Sequence, residues 1–388
     1  MHFSERMSRL GTETAFNVLA RAKALEAKGH DVVHLEIGEP DFDTPANIIE
    51  AAANALRNGW THYTPAAGIP ILRETIATHI ADTRGITVTP EQVVVTPGGK
   101  PIMFYAVLAL VEPGDEVVMP NPTFPIYESM VNYIGAKPVF VKLAEEEGFG
   151  FDLDMFADSL SDKTRMVVLN SPSNPTGGVL SKAQIETVAG LLRDRPDVWI
   201  LSDEIYSRIL YDTDHVSIAS EPDMQDRTII LDGYSKTYAM TGWRLGYGVM
   251  QPELAQRMTQ LQINAVSCVN AATQVAGVEA LTGPQDAVND MVTAFRARRD
   301  AVVAGLNDIP GIRCVMPRGA FYVFPNVTAL PIDQDELARR LLDEVGVAVL
   351  SGTAFGAYGK GYLRLSYANS LENIDKALGR IGDFVKAL

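Results

Sequence analysis

The chain has 388 residues, 47% of them hydrophobic and 21% charged, which is enough apolar material for one large core or two unequal ones in an enzyme-sized globular protein. A formal net charge of −15, with Arg296-Ala297-Arg298-Arg299 as the densest basic run, argues against a nucleic-acid partner. Cys268 and Cys314 fit no metal or redox spacing, and no signal-peptide core or long uncharged run is present, so the expectation is a cytoplasmic protein with reduced thiols, no metal and no membrane insertion.

Along the chain, a helix is predicted over Phe16 to Lys28. Short apolar strands then alternate with helices: Val93–Thr96, Glu116–Met119, Lys137–Val141, Met166–Leu169, Val198–Leu201, Thr228–Leu231 and Leu245–Val249. The last follows its predecessor after only a short loop and is expected to run antiparallel to it. This alternation predicts an α/β fold, a mostly parallel seven-stranded sheet covered by helices. Further on, the helix through Arg296 to Leu306, the run Gly319–Phe324, the helix over Asp335 to Val345 and the strand Leu363–Ser366 read as a smaller α+β domain. The N-terminal helix is expected to pack against it. That makes the small domain discontinuous: residues 1–44 form an arm and part of it, 45–285 the large domain and 286–388 the C-terminal remainder.

Chemistry concentrates where the central strands end. In Gly233-Tyr234-Ser235-Lys236-Thr237-Tyr238-Ala239-Met240-Thr241-Gly242-Trp243-Arg244-Leu245-Gly246, a lysine among small residues precedes an arginine by eight positions. An amine that condenses with an aldehyde needs such crowding, and a nearby guanidinium can take a phosphate as a bidentate partner. The bare spacing also describes a solvated lysine and a surface arginine. Asn174, Asp203 and Lys236 each follow a predicted strand, and ligands of open α/β sheets bind at that edge, so the three are expected to converge. Asp203 ends an apolar strand, where a buried carboxylate needs a cation or several donors; capping the next helix is its other reading. Pro97-Gly98-Gly99-Lys100 opens a helix directly after a strand, a position for an anion, and Lys100 in the first turn opposes the helix dipole unless an anion lies beside it. Arg364 is a lone charge inside an apolar strand, placed either for a buried ion pair or for a carboxylate in the cleft.

These motifs, in this order from about Leu35 to Tyr367, resemble the class I and II aminotransferases, enzymes of fold type I that use pyridoxal phosphate (PLP). The resemblance makes Lys236 the lysine that condenses with the cofactor aldehyde and Asp203 the partner of its ring nitrogen. Tyr206 and Asn174, in the segment Asn174-Pro175-Thr176-Gly177, become donors to its phenolic oxygen, and Phe124, otherwise a core phenylalanine, the aromatic stacked on its ring. The backbone amides of Gly99 and Lys100 and the Arg244 guanidinium would hold the phosphate, and Gly38 and Arg364 the substrate α-carboxylate, with Asn174 also near the substrate. Tyr63 matches a tyrosine that reaches the neighbouring subunit's phosphate, which implies a homodimer with shared active sites. Some bacterial aspartate-type members carry a lysine at the position of Lys100 that reaches the substrate's distal carboxylate. Many aspartate-specific relatives have tryptophan at the position of Phe124, and others have serine at that of Gly233.

The expected activity is ping-pong transfer of an amino group from an L-amino acid to a 2-oxo acid, of the aspartate or glutamate and 2-oxoglutarate type. Alanine or aromatic preference, another PLP reaction such as β-elimination, and a non-catalytic ligand-binding protein are the alternatives.

Overall fold

The computed structural model describes residues 2–388. A short strand, β1 (Val33–His34), precedes eight strands that share one sheet: β2 (Val93–Thr96), β3 (Glu116–Asn121), β4 (Lys137–Ala144), β5 (Gly150–Phe151), β6 (Thr164–Asn170), β7 (Trp199–Asp203), β8 (Thr228–Gly233) and β9 (Gly246–Val249). Their order is β2-β9-β8-β7-β6-β3-β4-β5. The five strands β4, β3, β6, β7 and β8 are parallel, and β9 runs antiparallel between β8 and β2. All seven strands expected from the apolar runs are there. The eighth, β5, is a two-residue antiparallel edge, too short to leave an alternation in the sequence.

The central strands are apolar on both faces because helices cover both. On β6, Met166 and Val168 pack with Ile102, Met103 and Ala106 of the helix Lys100–Leu110, while Val167 and Leu169 pack with Ile185, Val188 and Leu192 of the helix Lys182–Arg193. The period of two along one strand thus feeds two separate cores. At the β2 side, Val93, Val95, Tyr247 and Val249 bury against Leu72, Ile76 and Ile80 of the helix Pro70–Arg84.

The remaining strands are β10 (Tyr322–Val323), β11 (Val347–Ala348), β12 (Leu350–Ser351) and β13 (Leu363–Ser366). Antiparallel β10-β13-β12 forms one small sheet, and β1 pairs in parallel with β11. Of the run Gly319–Phe324 only Tyr322–Val323 is strand, β10; before it Gly319 bridges to Leu210 and Ala320 adopts a φ of 57°. The helix expected through Arg296–Leu306 is the second half of Asp286–Asn307. In the N-terminal helix Thr14–Glu26, Ala22 packs with Leu342 and Ala348. Among the described residues no helix is long and apolar enough to cross a membrane, and no cluster of histidine, cysteine or acidic groups could hold a metal.

Candidate active site

Strand register builds the floor of the site. Asn170 on β6 pairs with Asp203 on β7, which pairs with Leu231 on β8, so the three sit side by side at the C-terminal ends of parallel strands. A cavity of about 550 Å³ opens over them. Asn174, Asp203 and Lys236, expected to converge from three separate loops, all line it.

Asp203 is 7% exposed. Its carboxylate accepts hydrogen bonds from the Tyr127 hydroxyl and from the Ile205 amide, the latter at 3.2 Å. Burial nevertheless pushes its carboxyl up to about 6, so in this cavity it lacks the cation that would hold it ionised. Lys236 Nζ donates to the Gly38 carbonyl and lies 5.9 Å from the centre of the Phe321 ring. Burial pulls its ammonium down to about 8, against the opposing pull of Glu39 and Glu13. Lys236 therefore gives up its proton far more readily than an ordinary lysine, towards the neutral amine that a nucleophile or base requires. The Tyr206 hydroxyl shares a hydrogen bond of 2.7 Å with that of Tyr322. The backbone of Asn174 is anchored through its amide to Asn170 Oδ1 at 2.9 Å, while its own side-chain Oδ1 is buried without a partner.

On one side of this floor Gly99, Lys100 and Arg244 face the cavity together. Gly98, at a φ of 86°, leaves room for the Arg244 guanidinium, with which a Cβ there would collide; a Cβ on Gly246 would lie 2.5 Å from Gly99 N. The Arg244 guanidinium donates to Thr241 O at 2.8 Å and to Pro97 O at 3.4 Å, and the residue is otherwise exposed. On the other side Arg364, on buried β13, is 3% exposed. It lies 4.7 Å from the Tyr322 ring centre, donates to Glu36 O, and leaves its Nε buried and unpaired. Alternation along β13 thus turns Arg364 into the cavity, with no carboxylate side chain among its hydrogen-bond partners. Gly38 also lines the cavity, and there its carbonyl is in use; a Cβ at Gly38 would collide with the Tyr322 hydroxyl. Phe124 lines the wall beside Lys100. Tyr63 is not brought to this cavity and is 90% exposed on the surface.

Tyr127, Tyr322 and Glu13 are among the lining residues that the sequence did not single out as site residues. Tyr127 stands three positions after Phe124, one helical turn along, so the spacing itself was the signal. Tyr322 and Glu13 come from β10 and the N-terminal segment, and nothing in their local sequence marks them. Behind the floor, Arg84 donates to Glu204 Oε2 at 2.6 Å and to Asp232 Oδ2 at 2.9 Å, a buried ion cluster on the strands that carry Asp203 and lead into the Lys236 loop.

Residues 30–381 match the profile of the family described as aminotransferase class I and II. The chain belongs to that family. It is 42% identical to the aspartate aminotransferase of Pyrococcus horikoshii, over 92% of this chain and 91% of that protein. It superposes on the aspartate aminotransferase of Thermus thermophilus with maleate at a TM-score of 0.95, with 39% identity over 100% of both chains. It superposes on the alanine aminotransferase of Pyrococcus furiosus at 0.94, with 32% identity, again over 100% of both chains. As a class I and II aminotransferase the chain is a transaminase that depends on PLP. Its own residues fit that cofactor: Asp203 is a buried carboxylate short of a cation, the Asn174 side chain lines the cavity with its buried Oδ1 unpaired, and beside Gly99 and Arg244 the backbone at Gly98 and Gly246 leaves no room for a Cβ.

Proposed function

We propose that the chain exchanges the amino group of an L-amino acid with a 2-oxo acid, alternating the two substrates in one site, and that aspartate or glutamate and 2-oxoglutarate are its preferred pair. Bound PLP supplies an aldehyde that takes the amino group and a ring that accepts the electron pair left when the α-proton departs. Asp203 holds the ring nitrogen's proton, and the Asp203 carboxylate, otherwise short of a cation, is in turn held ionised. Asn174 and Tyr206 would donate to the phenolic oxygen, Phe124 would pack on the ring, and the backbone amides of Gly99 and Lys100 together with the Arg244 guanidinium would hold the phosphate. Arg364 binds the substrate α-carboxylate as a planar fork, with Gly38 and Asn174 beside it. Lys236 Nζ, as a neutral amine, would take the substrate's α-proton. The observation that carries these roles is the meeting of Lys236, Asp203, Arg244 and Arg364 around one cavity.

For substrate choice, Lys100 is the cation at the mouth that a distal carboxylate can reach. The names of the Pyrococcus horikoshii and Thermus relatives favour the same dicarboxylic reading, while Phe124 and the alanine aminotransferase of Pyrococcus furiosus favour a site that also takes smaller neutral side chains. We propose further that the protein is a cytoplasmic homodimer in which exposed Tyr63 reaches the partner's phosphate, and that residues 1–44 with 286–388 act as a small domain beside 45–285. The deciding experiment presents aspartate, glutamate, alanine and phenylalanine singly to the PLP-loaded enzyme and follows the cofactor's absorbance. Fastest conversion by aspartate or glutamate is the expected result, and a fastest conversion by alanine or phenylalanine would replace the dicarboxylic reading.

A further inference from the structure

Lys100 is not free at the cavity mouth. Its ammonium is paired with the Glu13 carboxylate and lies 5.4 Å from the centre of the Phe124 ring. Glu13 occupies the N-cap position of the helix Thr14–Glu26, where a short polar side chain usually accepts a hydrogen bond from the first turn. The Glu13 side chain makes no capping bond and turns instead to a residue 87 positions away. The segment that carries it is lightly held: Ala22 is the one buried residue of the helix, and Phe16, also on the cavity wall, is 59% exposed. The backbone before it is tied by Gly11 N to Ser129 Oγ at 2.9 Å and by Arg9 to Asn132 O at 2.9 Å, so Glu13 can leave Lys100 while its neighbours stay anchored.

The charges on the cavity wall give this pair a meaning. With Arg244 on the phosphate, Arg364 on the α-carboxylate and Asp203 on the ring nitrogen, Lys100 is the cation left over. The carboxylates left over are Glu13 and Glu39, and Glu39 already accepts from the Thr241 hydroxyl. A substrate with an uncharged side chain leaves Lys100 to Glu13, and both charges stay paired. A dicarboxylate brings a second carboxylate to the same ammonium, and the two like charges repel each other and compete for it. We propose that Glu13 is a built-in substitute for the substrate's distal carboxylate: it neutralises Lys100 when the side chain is uncharged and gives it up when the substrate supplies its own carboxylate. Glu13 is then a specificity-determining residue that lets one cavity take charged and uncharged side chains in turn and holds down the preference for dicarboxylates. The inference rests on Lys100 being the distal-carboxylate site.

The test measures kcat/KM for aspartate and alanine in single half-reactions of the PLP-loaded enzyme, and the inhibition constants of succinate and propionate, for the native chain, Glu13→Gln, Lys100→Ala and the double variant. Glu13→Gln keeps the shape and removes the charge. It is expected to raise the aspartate-to-alanine ratio roughly fivefold, the size expected of a partly exposed ion pair, and to tighten succinate relative to propionate. In the Lys100→Ala background it should no longer change either ratio. An unchanged or lower ratio in Glu13→Gln overturns the substitute role, as does a rise that persists without Lys100. Should Lys100→Ala itself weaken aspartate and alanine equally, the underlying reading of Lys100 fails, and the role of Glu13 falls with it.

Discussion

Asn170, Asp203 and Leu231 on the cavity floor are neighbours because three buried parallel strands are in register, whereas Glu13, Lys100, Glu39 and Thr241 at the mouth come from separate segments and meet only through their side chains. The titrations of the floor are moved by burial: Asp203 up to about 6 and Lys236 down to about 8. At the mouth the Lys100 side chain is 45% exposed, so solvent screens the charges that gather there. The difference teaches that one end of the cavity is built to impose chemistry on whatever enters and the other to choose among entrants at modest cost.

Substitutions on the floor should therefore be the most damaging. Lys236→Ala is expected to leave a folded chain that still holds PLP but has only background turnover and forms no adduct that borohydride can fix to the protein. An adduct surviving in that variant would move the role to another lysine. Asp203→Asn is expected to lower turnover by orders of magnitude for every amino acid, because the ring nitrogen loses the charge that keeps it protonated.

Asp203 also makes a statement about pH in the chain without cofactor. Its carboxyl stands at about 6 when folded and at the ordinary 3.8 when unfolded, so the stability it contributes is full below about 4 and is lost as pH rises through about 6. A thermal-unfolding series of the cofactor-free protein should show Asp203→Asn removing this share of the slope, on the order of 2 kcal/mol. An unaltered slope would mean that the carboxylate has a partner beyond Tyr127 and Ile205.

Arg364 stands between the two regions, as buried as the floor yet facing the substrate. Arg364→Ala is expected to cost every amino acid about a hundredfold in kcat/KM, the loss typical of a buried, hydrogen-bonded charge pair. A loss confined to dicarboxylates would exchange its role with that of Lys100.

The same contrast explains what the sequence could reveal. The floor was legible because Met166–Leu169, Val198–Leu201 and Thr228–Leu231 are apolar runs ending in turn chemistry, and parallel strands of one sheet deliver whatever follows them to one edge. Tyr127 could have been read from its helical spacing to Phe124. The Glu13–Lys100 pair could not, since no local pattern links residues so far apart. Tyr322 escaped for a related reason: β10 spans two residues, and alternation needs more than that to show which face is which. Exposure also sets a magnitude, because solvent screens a charge pair at Lys100.

The most direct measurement compares Asp203→Asn with Lys100→Ala on one panel of single half-reactions with aspartate, glutamate and alanine. A floor that performs chemistry and a mouth that selects predict losses in Asp203→Asn that are large and alike for all three donors. For Lys100→Ala they predict a loss of roughly five- to tenfold for aspartate and glutamate with alanine much less affected. Equal losses for alanine and aspartate in Lys100→Ala would contradict the account, placing that side chain with the phosphate and removing the mouth's part in substrate choice.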